Sequence, residues 1–321
     1  RLKNGLIYSG LYNSLSSVNR TNQFISAEKI TKNINPTYGS IQKLYTRNSD
    51  LVTFCEDKVL RILANKDALF NADGNVNLTA SSNVLGQAIP FAGSFGISKN
   101  PESFAYEKYR AYFTDKQRGA VLRLSMDGLT PISEYGMSNY FRDNLKNATK
   151  ISGSYDAYNK EYNVVLDDKI ETVSYKEQVN GWSSFKSYTP EFALSSSNTY
   201  YSFNKGNLYE HDASEKYNYF YKTQYNSSIT VLLNDASGSV KDYKTLNYEG
   251  TQSKVIKETG NVKSGYYNLQ SKSGWYNDYI KTDQDEGDVR EFINKENKWF
   301  NNIRGLEDSG IADNLDAGEF S

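Results

Sequence analysis

Residues 108–145 read KYRAYFTDKQRGAVLRLSMDGLTPISEYGMSNYFRDNL, and this stretch decides the fold class. An aromatic strand ending in RAYF is followed by the turn TDKQRG, the strand AVLRLS and the turn MDGLT. Short apolar strands separated by Gly and Asp turns are typical of all-β sandwiches, barrels and propellers. The segment SNYFRDNLKN departs from this strand pattern. Ser138 can cap the N-terminus of a helix, and Phe141 and Leu145 are four residues apart, so the segment predicts one short helix.

Strand and turn signals of the same kind continue on both sides of this stretch. LVTFCEDKVLRILANKDALF predicts two strands around the polar CEDK, whereas the small residues of ASSNVLGQAIPFAGSFG predict a long loop. EYNVVL and ETVSYKE predict a strand pair joined by DDK, and TYYSF and LYEH predict a hairpin. Gly206 supplies the positive φ that the NKGN turn of this hairpin needs. SSITVLLND and VKDYKTLNYEG predict further strands.

DVREFINKENKWFNNIRG, near the C-terminus, has the spacing of an amphipathic helix. Asp288 favours the positive end of a helix dipole, and Gly305 would end the helix. The shared face would carry Val289, Phe292, Ile293, Glu296, Trp299 and Phe300. Residues 306–321 contain five acidic residues and no basic one, which predicts a tail that orders only against a partner.

The chain therefore divides into three predicted parts, and its fold class is mainly β. Residues 1–50 form a polar N-terminal segment, and residues 51–250 form the region of short antiparallel strands. Residues 251–321 form a C-terminal β-plus-helix region with the acidic tail. The chain begins at Arg1 rather than Met, so we expect the first segment to continue a longer precursor.

The composition narrows the classes of function. With 321 residues, the chain can hold two or more domains and a sizeable core. Its net charge of −1 does not favour a polyanion-binding protein. No apolar run approaches the roughly 20 residues of a transmembrane helix, and no signal peptide is visible. The 27 tyrosines suit thin β layers and subunit interfaces, because Tyr buries a ring and keeps its hydroxyl at a wet edge.

Few residues have the chemistry of a catalytic or metal site. Cys55 is the only cysteine, and its surroundings predict burial in a strand rather than a nucleophile. His211 is the only histidine, so a His-based dyad would have to use it, and a His/Cys zinc site lacks ligands. The motifs of serine hydrolases, P-loops and dinucleotide-binding folds are missing. We therefore predict no catalytic residue, no cofactor and no metal.

Three features have a functional interpretation beside a structural one. NADGNVN at residues 71–77 resembles part of a calcium loop, but a type I′ turn explains its Asp-Gly pair. TDQDEGD at residues 282–288 could hold a cation, but acidic residues also favour a helix N-terminus. Trp182, Trp275 and Trp299 could stack on sugars, although Trp more commonly anchors a core or an interface. We favour the structural interpretation of each.

The order of motifs from about residue 50 to residue 305 resembles that of bacteriophage tail proteins. Residues 108–145 resemble a blade segment of short-tailed phages, with an aromatic strand, a TD-x-x-RG turn, an LRLS-x-DG strand and turn, and IS-x-x-x-M-x-x-YF. Four later segments resemble virion proteins of crAss-like phages. They are GWSSFKSYTPEFALSSSNTYYSFNKGNLYEH, YNYFYKTQYNSSITVLLND, SVKDYKTLNYEG and GWYNDYIKTDQDEGDVREFINKENKWFNNIRG. The family that these motifs resemble is the tail muzzle or nozzle protein.

The resemblance implies a tube of identical subunits at the tip of the tail, in which residues 51–250 form β-propeller-like blades. Such a tube closes the exit channel for DNA and ejected proteins. The implied partners are identical subunits in a ring of six and other phage tail proteins, and the implied location is the virion. The chain is short for such a protein, so we expect residues outside it to complete the propeller.

The motif positions have architectural roles by this resemblance. Those that match the motifs are Gly119, Asp127, Gly128, Gly181, Trp182 and Gly206. Two further structural positions are Phe185, which follows Trp182 in its predicted strand, and Trp299, on the apolar face of the predicted helix. Trp182→Ala is expected to destabilise the fold and to prevent assembly.

Two other classes of function remain as alternatives. A glycan-binding or glycan-degrading tail protein would line a sugar groove with Trp and Tyr and use Asp or Glu as acid and base. A bacterial surface adhesin would need a signal peptide or an anchor, and neither is visible.

Overall fold

The structure, a computed structural model, describes residues 2–10, 12–13, 15–47, 50–70, 76–257, 270–282 and 286–305, without the side chains of residues 13, 65–70 and 76–83. The chain divides into two compact units, Arg1–Ile229 and Thr230–Ser321. Among the described residues, no helix combines the length and the apolar character that crossing a bilayer requires. The three-part division at residues 50 and 250 stays a prediction.

Three predicted features lie outside the described residues in whole or in part. The Asp-Gly turn of NADGNVN falls within residues 71–75, and the centre of TDQDEGD falls within residues 283–285. The acidic tail, residues 306–321, is also outside.

The first unit begins with two small antiparallel strand pairs, β1 with β4 and β2 with β3. These strands are β1 (Gly5–Ile7), β2 (Tyr12–Asn13), β3 (Val18–Asn19) and β4 (Thr31–Asn33). Ile34, directly after β4, is buried with Leu60 and Ile62 of the next sheet, which ties the N-terminal segment to it.

Three four-stranded antiparallel sheets follow, and in each sheet every strand pairs with the next one along the chain. Sheet 1 contains β5 (Ile41–Arg47), β6 (Asp50–Cys55), β7 (Val59–Phe70) and β8 (Val76–Pro90). Sheet 2 contains β9 (Ala105–Tyr106), β10 (Ala111–Asp115), β11 (Ala120–Ser125) and β12 (Gly128–Pro131). Sheet 3 contains β13 (Ile151–Asp156), β14 (Glu161–Leu166), β15 (Glu171–Lys176) and β16 (Gly181–Lys186).

A three-stranded sheet and one strand pair complete the strands of the first unit. Sheet 4 contains β17 (Phe192–Ser196), β18 (Thr199–Asn204) and β19 (Asn207–Glu210), and the pair contains β20 (Tyr219–Phe220) and β21 (Thr223–Gln224). The short 3₁₀ turns of the unit are Pro36–Tyr38, Pro101–Ser103, Ile132–Glu134, Asp167–Lys169 and Glu177–Val179.

Sheet 2 is buried on both faces because its central strands alternate their side chains between two neighbouring sheets. Phe113 and Leu122 pack against Phe54 of sheet 1, whereas Tyr112 packs against Tyr162 of sheet 3. We call these contacts the first join and the second join. The first join contains Val52, Phe54, Val59, Ile97, Ala111, Phe113, Leu122 and Leu124. The second join contains, among others, Tyr112, Val121, Ile132, Phe141, Tyr162, Val164, Val173 and Tyr175.

The third join connects sheet 3 to sheet 4 through a buried tyrosine. Tyr200 of β18 is 1% exposed, and its hydroxyl lies 2.7 Å from Ser154 Oγ of β13 and 3.3 Å from Asn163 Nδ2 of β14. Ser195 of β17 adds a bond by donating to the carbonyl of Tyr155 at 2.8 Å. A buried hydroxyl with this many partners avoids the cost of an unpaired polar group.

The strand and turn predictions for sheets 2, 3 and 4 are confirmed. β10 and β11 flank the TDKQRG turn, and β14 and β15 flank the turn that contains DDK. β18 and β19 form the predicted hairpin, whose turn residues Lys205 and Gly206 have φ of 50° and 72°. Two left-handed residues match the twist of a two-residue hairpin.

The predicted short helix is confirmed as α1 (Ser138–Leu145). Phe141 and Leu145 are both fully buried in the second join, as their spacing predicts. The predicted cap is wrong: the cap position is Met137, and no side chain bonds to the helix end there. Burial of one face therefore stabilises this helix more than its cap does.

The loop predicted for residues 80–96 is wrong over most of its length. Residues 80–90 belong to β8, which pairs with β7 along a long hairpin with two register shifts. The small and polar residues of this stretch suggested a loop. They can nevertheless form a strand, because β8 is held by its pairing with β7 and does not depend on an alternating apolar pattern. Only the end of the stretch, residues 91–96, leaves the strand.

The second unit contains a hairpin where a C-terminal helix was predicted. Its strands are β22 (Thr245–Tyr248), β23 (Ile280–Lys281), β24 (Glu286–Asp288), β25 (Ile293–Lys295), β26 (Lys298–Asn302) and β27 (Arg304–Gly305). Glu296 and Asn297, between β25 and β26, have φ of 53° and 64°. These left-handed values suit a hairpin turn and cannot continue a right-handed helix. Gly305 accordingly lies in β27 and ends no helix.

The apolar residues of the predicted helix face are partly buried all the same. Val289, Phe292 and Trp299 form the core of the second unit, and Tyr248 of β22 packs against them. β26 is the central strand, between β22 and β25. The pairing with β22, which lies about 50 residues away in the sequence, decides the structure, and helical spacing within one segment cannot reveal it.

Residues 227–235, SSITVLLND, form no strand in the structure, which corrects another prediction. VKDYKTLNYEG, the next predicted strand, is confirmed only as β22. The centre of this segment, residues 229–233, consists of β-branched residues and leucines, but no described strand of this chain pairs with it.

Candidate functional site

The three joins bring together most of the buried polar and aromatic side chains of the first unit. Among the described residues, no group of three His, Cys, Asp or Glu side chains is placed to hold a metal ion. The joins, where buried polar and aromatic side chains of different sheets meet, are the candidate functional site.

Asp115 holds the first join together from the end of β10. Its carboxylate, fully buried, accepts hydrogen bonds from Gly96 N at 3.0 Å and from Ser98 Oγ at 2.9 Å. Arg118 Nη1 donates to the same carboxylate at 2.9 Å and lies 3.4 Å from Asp57. The TD-x-x-RG motif thus fixes the β10–β11 hairpin to the chain that leaves β8, because a buried carboxylate needs several donors.

Three tyrosines stack across the second join. The ring centroid of Tyr112 lies 4.9 Å from that of Tyr162 and 5.9 Å from that of Tyr155, with interplanar angles of 15° and 7°. Tyr162 also donates its hydroxyl to the carbonyl of Ser103 at 2.6 Å. Burial raises the pKa of Tyr162 and of Tyr112 well above the usual value, so both remain neutral donors.

Glu177 adds charge to the second join from the turn between β15 and β16. Its carboxylate accepts from Arg123 of β11 at 2.8 Å and from the Tyr112 hydroxyl at 3.0 Å, and it lies 3.7 Å from Arg110. Glu107 extends the network by pairing with Arg110 at 2.5 Å. Because Glu177 comes from sheet 3 and its partners Tyr112, Arg110 and Arg123 come from sheet 2, the network fixes how the two sheets are oriented on each other.

Trp182 of β16 closes one end of the second join. Its ring centroid lies 4.4 Å from that of Phe141 and 5.3 Å from that of Tyr175, and Nε1 donates to the carbonyl of Ile132 at 3.1 Å. Phe185, in the same strand, is 55% exposed and touches Tyr140 edge-on. The strand therefore directs Trp182 inward and leaves much of Phe185 at the surface.

The motif glycines are placed for different reasons. Gly119 has φ of 67°, and a Cβ there would lie 2.6 Å from the Cα of Arg142, so the β10–β11 turn packs closely on α1. Gly128 and Gly206 have φ of 104° and 72° with open space around them, so only the backbone conformation requires glycine. Gly181 has neither constraint. Asp127 is exposed in the turn before Gly128.

Trp299 lies in β26, in the second unit, rather than on a helix. It is 7% exposed, stacks with Tyr248 at an interplanar angle of 9°, and donates Nε1 to the carbonyl of Gly250 at 2.9 Å. The joins of the first unit thus contain Trp182, and the core of the second unit contains Trp299. Whether the motif positions have the architectural roles implied by the resemblance stays a prediction.

His211 lies beside the third join, with Ser202 as its hydrogen-bond partner. Ser202 Oγ is 2.6 Å from His211 Nε2 and 2.9 Å from the Tyr221 hydroxyl. Ser202 is fully buried, and Tyr188 and Tyr200 pack on the imidazole with centroids 4.8 Å and 4.9 Å away. This Ser–His contact has the distance of a nucleophile and its base, but the serine is enclosed in the core.

Two family matches decide what this chain is. Residues 31–206 match the Crassvirus muzzle protein, and residues 215–305 match the Crassvirus muzzle protein C-terminal domain. The chain belongs to the Crassvirus muzzle protein family. A search of curated proteins found no match.

This member of the Crassvirus muzzle protein family is a structural protein of a phage tail, located in the virion. As a tail component it associates with other virion proteins. The glycan alternative gains no support. The resemblance noted from the order of the motifs is confirmed.

For this muzzle-family chain we expect unfolding that depends on pH through its single histidine. Burial lowers the pKa of His211; Asp212 and Asp156 oppose the shift, and Lys186 adds to it. His211 takes up a proton near pH 6.5 in the unfolded chain and only at lower pH in the folded chain. The contribution of neutral His211 to the free energy of unfolding is therefore complete above about pH 6.5 and is lost as the pH falls. Urea unfolding at pH 7 and pH 5 should show a larger loss for the wild type than for His211→Gln.

His211→Gln is the internal control, because the glutamine can still bond to Ser202 but does not titrate. Equal losses for the two proteins between pH 7 and pH 5 would show that His211 is not buried as the structure has it.

Sequence reasoning missed the polar members of the muzzle joins. Glu177 and Tyr155 of sheet 3 lie in none of the motifs quoted for the family resemblance, and their partners Tyr112 and Glu107 come from sheet 2. Asp115 and Arg118 stand within the quoted TD-x-x-RG turn, so that motif carried a signal. The burial predicted for Cys55 is confirmed: it is 0% exposed, and desolvation raises the pKa of its thiol to about 11.

Proposed function

We propose that this protein is one subunit of a ring, most simply a hexamer, that forms and closes the exit channel at the tip of a phage tail. DNA and ejected proteins would pass through this channel. The family match over residues 31–206 carries the proposal. The role is structural, with no enzymatic activity.

A propeller-like arrangement of the sheets supports this function. Sheets 1, 2 and 3 are four-stranded meanders, the unit from which propeller blades are built. The first strands of successive sheets lie side by side, β9 with β13 and β13 with β17. In a propeller, the blades pack face to face and the first strands of neighbouring blades lie side by side. We propose that sheets 1 to 4 are such blades.

The joins suit a wall that has to resist pressure from within. Stacked tyrosines and the Arg123–Glu177 ion pair connect sheets 2 and 3, so these two sheets cannot slide without breaking both kinds of contact. Hydrogen bonds to Asp115 and Tyr200 strengthen the first and third joins. Side chains packed at crystal-like density have low compressibility. We propose that rigidity is what these residues supply.

The geometry around the candidate nucleophiles supports a role without catalysis. Ser202 and Cys55 are both 0% exposed. The raised pKa of Cys55 keeps the thiol protonated near neutral pH. A substrate would reach either atom only after the core had opened.

The test of the ring is a mass measurement together with an image. We expect native mass spectrometry of the full-length protein, with its tail partners added, to give a species of six chains. Electron microscopy of virions labelled by an antibody to this protein should place the label at the tail tip. A protein that stays monomeric with its partners, or a label on the capsid, contradicts the proposal.

The absence of catalysis is tested separately. Purified virions and purified protein should release no reducing sugar from host capsule. Turnover that is lost after one Asp→Asn or Glu→Gln change in this chain would overturn the structural assignment.

A further inference from the structure

Residues 227–235 are an exposed segment with an apolar centre and no partner strand among the described residues, and we call them the free strand. Its large side chains are open to solvent: Ile229 is 75% exposed, Val231 60%, Leu232 90% and Leu233 57%. Residues 225–234 carry no charge. Contiguous apolar residues that face water mark an interaction site, because burying them removes apolar area from water.

The backbone of the free strand makes no ladder bonds, and the carbonyl of Leu233 accepts instead from the Tyr243 hydroxyl at 2.7 Å. Between described residues, no backbone-to-backbone hydrogen bond involves residues 226–235. The sequence pattern there, Ile-Thr-Val with two leucines, is one that strands prefer. Apolar side chains and free backbone groups together are what an edge strand offers to an open sheet.

Sheet 4 offers an open edge and an apolar outer face. Its order is β17-β18-β19, so β19 has no partner strand on its far side among the described residues. Phe192, Phe203 and Leu208 are paired in register across the three strands and form one row. Phe192 is 56% exposed and Leu208 58%, so this row faces solvent.

We infer that the free strand of one copy adds to β19 of a second copy and extends the row of Phe192, Phe203 and Leu208. Side chains of a strand alternate, so Ile229, Val231 and Leu233 share one face. One of these residues then continues the row beside Leu208. Residues 227–234 of the free strand are uncharged, so Asp235 at its end is the one residue of the segment that brings a charge to the edge of sheet 4.

A second copy is the occupant because each chain carries both halves of the contact. The free strand and the open edge of β19 are different surfaces, so the contact is heterologous, and heterologous contacts close into rings when the rotation allows. This inference rests on the ring of identical subunits proposed above. The new element is the identity of the segment that joins one subunit to the next.

The test uses cysteine crosslinking between two kinds of chain. Val231→Cys and Leu208→Cys are made separately, one is labelled with ¹⁵N, and the two are co-assembled and mildly oxidised. Cys55 is buried and does not take part. We expect a disulfide dimer that contains one chain of each kind, and no dimer from either variant alone.

Val240→Cys is the matched control, because Val240 is fully exposed close to the free strand but outside it. With Leu208→Cys it should give no crosslinked dimer. The double variant Val231→Cys, Leu208→Cys should give a ladder of covalent oligomers. A crosslink within a single chain, or a ring that assembles without the mixed dimer, overturns this inference and leaves the ring intact. A wild type that never assembles overturns the ring itself.

A proline variant tests the backbone contribution. Val231→Pro removes an N–H and blocks ladder pairing, at a residue that is 60% exposed and whose amide has no backbone partner among the described residues. We expect at least tenfold weaker assembly with an unchanged melting temperature, whereas Val240→Pro assembles like the wild type. Unchanged assembly of Val231→Pro would show that the free strand is not a strand in the ring.

Discussion

Trp182→Ala lowers the free energy of unfolding by about 3 kcal/mol, because it removes a large ring from the second join and leaves a cavity. The ring fills the space between Phe141 of α1 and Tyr175 of β15, at centroid distances of 4.4 Å and 5.3 Å. The substitution also leaves the carbonyl of Ile132 without its donor. Urea or thermal unfolding of the purified protein measures the loss, and the mass of the assembled species shows whether assembly fails with it.

Two variants separate the ring contacts from the hydrogen bond. Trp182→Phe retains an aromatic ring but no donor, so it should lose about 1–2 kcal/mol. Phe185→Ala, in the same strand, removes a side chain that is more than half exposed and should lose about 1 kcal/mol or less. If Trp182→Ala and Phe185→Ala have the same melting temperature, Trp182 is a surface contact and not part of the join.

Gly153→Ala has the second large effect, and we expect a loss of about 3 kcal/mol or more. A Cβ at this position in β13 would lie 2.0 Å from the carbonyl oxygen of Ser103 and 2.8 Å from the Tyr162 hydroxyl. Ser103 cannot easily move away, because its side chain accepts from the amide of Thr114 in β10. One added methyl group therefore pushes sheets 2 and 3 apart. Denaturant unfolding, with expression in the soluble fraction as a first indicator, measures the effect.

Gly181→Ala is the matched control for the loss of a glycine. It also lies in sheet 3, at the start of β16, and the nearest atom to its Cβ would be a carbonyl oxygen at 3.6 Å. We expect a change within about 0.5 kcal/mol. Equal effects at the two positions would mean that the close approach at Gly153 is not present.

Local signals were sufficient for most of sheets 2 to 4. Gly119, Gly128 and Gly206 mark turns that require a positive φ, and the strands on either side are rich in apolar and aromatic residues. α1 was predictable because Phe141 and Leu145 bury the same face. These features depend on residues that are close in the sequence, which is why the sequence reveals them.

The errors have a different physical origin. The segment from residue 289 to residue 300 has helical spacing, but β26 pairs with β22, so a distant partner decides its structure. SSITVLLND has strand composition but no partner strand in the part of the chain that the structure describes. Glu177 accepts from Arg123 and Tyr112 only because sheets 2 and 3 pack face to face. Sequence patterns describe one segment at a time and cannot show which segments meet.

The meander connectivity of sheets 1 to 3 has a consequence for synthesis of the chain. Each strand pairs with its neighbour in sequence, so contact order within a sheet is low and folding of a sheet is expected to be fast. Ribosomes add about 5–20 residues per second, so the roughly 40 residues of the next sheet emerge within seconds. The apolar face of a newly formed sheet is therefore covered soon after it appears. The order of the sheets along the chain keeps short the time in which nascent chains can aggregate.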